Sequence, residues 1–131
     1  MDDTAEKTRR TAALYFEGVG SEKPYDLWRA FDKEMARDLS LFITGRIYAR
    51  EKIPHTTRQL VTVAALTALG HQDEVRLHIM AALNVGCTTG QIAEVIFQTA
   101  VYAGVPATNT ALKILRSVLE EKNMWPLPGP A

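Results

Sequence analysis

The sequence predicts an all-α protein, a single-domain bundle of about six helices. Apolar residues recur at three- and four-residue steps from end to end, and no segment sustains the period-two alternation of a half-buried strand. Glycine and proline fall between these periodic stretches, at helix-length intervals. A chain of 131 residues suits one domain over residues 1–131.

The first helix is expected from Thr4 to Glu17, with Leu14, Tyr15 and Phe16 near its end and Gly18 and Gly20 stopping it. After the loop Ser21-Glu22-Lys23-Pro24, a short turn through Tyr25 to Trp28 leads to a second helix, about Phe31 to Tyr48. There Met35, Leu39, Phe42 and Ile43 form an amphipathic stripe. Ala49 to His55 reads as a loop broken by Pro54, with Thr56 or Thr57 as the cap of a third helix, Thr57 to Leu69. That helix is apolar nearly all round, the pattern of one buried on several sides. In so small a chain, the pattern points to burial against another subunit.

Gly70 separates it from a fourth helix, Gln72 to Val85. Thr88-Thr89-Gly90-Gln91 has the form of a capping box, opening a fifth helix that continues to about Ala103. Gly104 and Pro106 precede a last helix from Ala107 to Lys122. The tail, residues 124–131, cannot be helical through Trp125-Pro126-Leu127-Pro128-Gly129-Pro130.

A hydrophobic fraction of 47% argues against disorder. Fifteen basic residues balance fifteen acidic ones without a basic block, so nucleic acid and anionic membrane are poor partners. The lone Cys87 excludes an intrachain disulfide and fits a reducing compartment. One Cys and three His, in no metal-ligand spacing, point away from zinc. The charged N-terminus has no signal-peptide core. The longest nearly apolar stretch, Leu60 to Gly70, is roughly half of what a bilayer span requires. A cytoplasmic protein is expected.

The most informative local feature is Glu74 and His78, one turn apart on one helix face, at the edge of the apolar stripe beside Val75 and Ala82. Such a couple is either a proton-transfer pair or a helix-surface ion pair. His71 lies on the same side and either joins them or is solvated. His55 is a loop histidine or reaches a pocket mouth. Arg58 meets an anionic substrate or pairs with an acid across the bundle, and Arg46 and Arg50 are weaker anchors. Phe42, Tyr48, Phe97 and Tyr102 are expected in the core, whereas Trp28 is a candidate wall for a flat ring. Asn109 reads as a first-turn residue.

Several segments together carry a family resemblance. They are Thr57-Arg58-Gln59-Leu60-Val61-Thr62-Val63-Ala64-Ala65-Leu66-Thr67-Ala68-Leu69-Gly70, Glu74-Val75-Arg76-Leu77-His78, Ala81-Ala82-Leu83-Asn84-Val85-Gly86-Cys87-Thr88, Gln91-Ile92-Ala93-Glu94-Val95 and Val101 to Asn109. Over about residues 31–119 the chain resembles the carboxymuconolactone decarboxylase family, within the alkylhydroperoxidase-D-like superfamily. In the peroxidase branch a glutamate precedes Cys-x-x-Cys-x-x-x-His. These positions fall here at Gln59, His71, Glu74 and His78. The redox cysteines are absent and Cys87 cannot replace them, so thiol peroxidase chemistry is disfavoured.

The resemblance implies a cofactor-independent decarboxylase. It would release CO2 from a cyclic lactone carboxylic acid with double-bond migration, in aromatic catabolism of the protocatechuate/β-ketoadipate type. His78 would be the acid, Glu74 the group that holds its ring, and Arg58, His71, Gln59, His55 and Trp28 the substrate-binding set. Trimers or hexamers with pockets near subunit boundaries are also implied. The alternatives are a related decarboxylase or isomerase acting on another cyclic or polyketide-derived acid, prompted by the divergent Arg50–His55 loop, and a non-catalytic helical oligomer.

Overall fold

A computed structural model describes residues 3–129, and among these the chain is helical, with no strand. Helix α1 spans Thr4–Phe16, α2 Pro24–Phe31 and α3 Lys33–Ser40, the last running without a break into a π-helical segment, Leu41–Tyr48. Helices α4 (His55–Leu69), α5 (Gln72–Asn84), α6 (Thr89–Gln98), α7 (Ala100–Ala103) and α8 (Val105–Glu121) complete the bundle.

The core lies between α4, α5, α6 and α8. Val63, Val75, Ile79, Ile92, Ile96 and Leu119 are among its fully buried side chains. Gly70, at a φ of 78°, lets α4 end in the left-handed conformation and α5 fold back against it. The Thr88–Gln91 capping box forms as expected: Gln91 N–H donates to Thr88 Oγ1 at 3.1 Å, and Thr88 N–H donates to Gln91 Oε1 at 2.9 Å.

Four boundaries differ from the sequence expectation, each for a local reason. The stretch expected as a turn followed by one helix is two helices broken at Asp32. Its extended backbone (φ −160°, ψ 112°) interrupts the ladder while its carboxylate caps α3 by accepting from Met35 N–H at 2.9 Å. Beyond Ser40 the helix widens, and Ala49 N–H donates to Thr44 C=O, five residues back, at 2.8 Å. Helix α4 begins at His55, with Pro54 rather than Thr56 or Thr57 at the N-cap position and no side-chain cap. The expected fifth helix divides at Thr99, whose hydroxyl turns back to Ile96 C=O at 2.6 Å.

Helix α1 packs on the π-helical segment and on α5. Gly45 makes that approach possible, since a β-carbon there would overlap Thr8 Oγ1 and lie 2.9 Å from Thr4 Cγ2. Asn84 fastens the end of α1 by donating its amide hydrogens to Tyr15 C=O at 2.8 Å and Glu17 C=O at 2.9 Å. By contrast, α2 buries no residue and packs mainly on α3. An open cleft is left between this hairpin and the body.

The expected all-round burial of the helix now seen as α4 is not met within one chain, where Val61 and Leu69 are exposed. Nor are Phe42, Phe97 and Tyr102 core residues, for all three are exposed. No helix of the described residues is long and apolar enough to cross a membrane.

Candidate active site

His78 is the one histidine buried in the bundle, at 6% exposure. Its helix, α5, places it one turn from Val75 and Ala82, both buried in the core, so the ring sits at the margin of the apolar interior. Its Nδ1–H donates to Oε1 of Gln59, a fully buried residue of α4, at 2.9 Å. Phe16 of α1 and Tyr48 of the π-helical segment pack edge-on against the ring, at centroid distances of 6.0 and 6.1 Å. Burial lowers the imidazole pKa to about 4, because removal from water disfavours the cation. The ring is therefore neutral near pH 7. With the proton on Nδ1, Nε2 holds a lone pair.

His78 lines a cleft of about 1510 Å³ bounded by α1, α2, α3, the π-helical segment and the start of α5. Phe16, Trp28, Tyr48 and Glu74 line it too. The lining joins these aromatic walls to charged groups, Arg9, Arg37 and Arg76 among them, a combination that suits a flat, cyclic, anionic ligand. Burial is the main cause that pushes the Tyr48 phenol above its ordinary pKa; Thr62 opposes the rise and the Glu74 carboxylate adds to it. At neutral pH the phenol is a hydrogen-bonding group, not an anion.

The expected Glu74–His78 couple is not formed. Glu74 is exposed on the cleft wall and makes no hydrogen bond or ion pair among the described residues, while Gln59 takes Nδ1. Two residues four apart on a helix can meet only if both side chains lean along its surface, and His78 turns inward toward α4 instead. The notion of His78 as an acid with an ordinary pKa changes with it, since a buried ring beside a neutral amide loses its proton early.

His71, before the first turn of α5, is exposed and outside the cleft. Arg58 is outside the cleft as well; its Nη2 donates to Arg50 C=O at 2.9 Å and its Nε is buried without a partner. His55 is no pocket-mouth loop residue, because its Nδ1 lies 2.6 Å from the Tyr15 hydroxyl. Trp28, half-buried, stands in the cleft wall where a ring-stacking group belongs. Among the described residues, no three His, Cys, Asp or Glu side chains gather as metal ligands would.

Sequence reasoning missed Phe16 as a cleft residue and put Tyr48 in the core. The signal available was their place at the ends of two segments that here turn toward α5, but nothing in the spacing says which helix α1 meets.

The family assignment rests on the sequence as a whole. The pattern of the "Carboxymuconolactone decarboxylase family" matches residues 33–117. The chain belongs to the carboxymuconolactone decarboxylase family. It is 36% identical over 96 residues to a protein of Acinetobacter baylyi named "4-carboxymuconolactone decarboxylase", an alignment covering 73% of this chain and 72% of that one. It is also 37% identical over 81 residues to the "Uncharacterized 15.0 kDa protein in nqo9-nqo10 intergenic region" of Paracoccus denitrificans, over 60% of each chain.

The segment matched to the carboxymuconolactone decarboxylase family contains Tyr48, Gln59, Glu74 and His78. Tyr15, Phe16 and Trp28 precede it. Cys87 is buried, and its thiol donates to Thr56 C=O at 3.4 Å. Burial raises its pKa, the opposite of what a thiol peroxidase requires.

Replacing Gln59 by Glu is expected to raise the titration midpoint of His78 by about 1–3 units, because a carboxylate in contact favours imidazolium. Replacing Glu74 by Gln should leave that midpoint in place. Histidine NMR titrations of both variants check this, and the opposite ranking would make Glu74 the partner of the ring.

Proposed function

We propose that this chain is a cofactor-independent carboxy-lyase acting on a cyclic carboxylic acid, of the 4-carboxymuconolactone decarboxylase type. The observation that carries the reading is a buried, neutral His78 in an aromatic cleft, within a chain of this family. In the reaction, the bond from ring carbon to carboxylate breaks and CO2 departs. The electron pair passes through the ring double bond into the lactone carbonyl, and a proton added to carbon completes the migration. His78 Nε2 is the proton carrier, recharged from solvent in each cycle.

Burial opposes that protonated state in the free protein. An anionic substrate beside the ring removes the opposition, so the proton is taken up when the acid binds. This places the cost of charging His78 on substrate binding and keeps the free ring neutral. Tyr48 is the neutral donor available to the developing enolate oxygen. Glu74 has a lesser part at the cleft wall. Of the residues named from the sequence as substrate-binding, His71, Arg58, His55 and the fully buried Gln59 stand outside the cleft.

The direct test is to mix the protein with the γ-lactone acid and follow CO2 release. A second reading keeps the chemistry and changes the acid, because Phe16 and Trp28 come from helices before the matched segment. A panel of lactone acids and aromatic keto acids separates the two readings. No turnover of any member would leave a ligand-binding helical assembly.

Self-association belongs to the same proposal. Val61, Leu69, Val101 and Tyr102 expose 59, 67, 77 and 81% of their surface, an apolar face on α4 and α7 that a second copy would cover. Sedimentation of a Val101→Asp, Tyr102→Ser double variant is expected to show a smaller assembly than the unaltered chain. Equal masses would remove this face from the interface.

A further inference from the structure

We propose that the cleft takes an elongated acid, whose ring lies at His78 and whose far end carries a second anionic group held by Arg37, the residue that sets the length preference. The inference rests on the reading of His78 as the reactive end of the cleft, and it names the class of acid that the site accepts.

The cleft is longer than one ring. Arg37 and Tyr48 both line it, and they belong to one continuous helical stretch, α3 running into the π-helical segment. Tyr48 meets the His78 ring at a centroid distance of 6.1 Å, while Arg37 lies eleven residues earlier. At the rise of helical backbone, that separation is roughly 15 Å. Leu41 and Thr44, at three- and four-residue steps between the two, also line the cleft, so the wall is continuous from end to end. A single lactone ring covers only part of this span. The volume agrees, for about 1510 Å³ exceeds the roughly 300–1,000 Å³ that suits a drug-sized ligand.

The charges of the lining indicate what the far end of the acid carries. Close to His78 they are negative. Asp73 and Glu74 stand in the first turn of α5 and Glu17 follows Phe16; all three line the cleft, and none of their carboxylates makes an ion pair among the described residues. A second anion beside the ring would be repelled by them.

Most cations of the lining are already engaged. Arg9 donates to Glu6 at 2.6 Å, Lys23 pairs with Asp26 at 3.7 Å, and Arg76 is held by Ser117 at 3.2 Å and by Glu121. Arg10 and Arg37 make no hydrogen bond or ion pair with their side chains among the described residues. Arg10 projects about 120° round α1 from Phe16, the residue that touches the ring. Arg37 instead shares its wall with Tyr48. Its guanidinium offers a planar fork that matches a carboxylate or a phosphate, and it gives up no other partner in binding one. An acid that complements this cleft loses its carboxylate at the acidic, aromatic end and keeps an anion at the cationic end. Binding energy then comes from the part of the molecule that does not react.

Calorimetric binding of 4-(ω-carboxyalkyl)benzoates of increasing chain length tests this without turnover, each compared with the matched compound that ends in a neutral carboxamide. In the unaltered protein the terminal carboxylate should bind about three- to tenfold more tightly than the amide once the chain reaches Arg37. It should give no advantage in the shortest member, terephthalate. Arg37→Gln should abolish the advantage and leave terephthalate binding unchanged; the exposed side chain has no partner to lose among the described residues, so folding is retained. Arg10→Gln removes the same charge from another wall and should leave the advantage in place. The His78 ring signals in NMR should shift with every member, which locates the benzoate end at the ring.

An advantage that is absent at every length, survives Arg37→Gln or falls equally in Arg10→Gln overturns the proposal, as does a series in which no member binds. A length-dependent advantage in a protein that turns over no cyclic acid would uphold the length preference and refute the carboxy-lyase reading. Turnover of the lactone acid with no length dependence would do the reverse.

Discussion

Replacing His78 by Gln is expected to lower kcat for decarboxylation of a lactone acid by about two to four orders of magnitude, with a much smaller change in KM. Glutamine keeps a polar group that Gln59 can bond, so the buried amide is not orphaned and the fold is retained. What it removes is a nitrogen able to take a proton and return it to carbon. The departing CO2 leaves an electron pair that the lactone carbonyl can hold only briefly, so the rate depends on a positioned proton. Stopped-flow absorbance of the lactone, with circular dichroism to establish folding, measures the effect. A folded variant with unaltered kcat would place the proton donor elsewhere, Tyr48 being the next group on the cleft wall.

The second large effect is on stability. The folded pKa of His78 is about 4, below the ordinary imidazole value of 6.5. Between these values the unfolded chain binds a proton that the native ring refuses, so stability falls as pH is lowered from 6.5 toward 4. Above 6.5 both states hold the neutral ring and the dependence vanishes; below 4 both are charged and it vanishes again. At about 1.4 kcal/mol per unit, the loss attributable to His78 across the window is roughly 3 kcal/mol, a large share of a typical domain's stability. Other groups titrate in the same range, so the useful quantity is a difference. Urea unfolding of the unaltered protein and of His78→Gln, at pH 7 and pH 4.5, should show the unaltered chain losing more stability on acidification. Parallel losses in the two proteins would mean that the ring is solvated in solution.

The helices were legible in the sequence where local chemistry decides them. Gly70 in the left-handed region and the Thr88–Gln91 box act within one turn, and both ends came out as expected. The misjudged boundaries depend on longer-range contacts. The π-helical widening has no signature in Leu41–Tyr48 apart from Gly45, whose smallness matters only because α1 lies against it. Exposure of Phe97 and Tyr102 likewise follows from what the single chain leaves uncovered, which hydrophobicity alone does not reveal.

For the site, the sequence led to His78 but to the wrong partner. A four-residue spacing brings Glu74 and His78 to one face of α5, whereas the side-chain direction that seats His78 against Gln59 is set by packing between α4 and α5. Gln59 was marked by its alignment with the superfamily's glutamate, and that position does meet the imidazole. Phe16 carried no such mark, since its contact with the His78 ring joins α1 to α5 across the chain.

The most direct measurement is the NMR titration of the His78 ring, alone and with a saturating cyclic dicarboxylate that resembles the lactone acid. The free ring should titrate near pH 4, and the bound anion should raise that midpoint by about 1–3 units. A free midpoint in the ordinary imidazole range, or one that ignores the anion, would contradict the account.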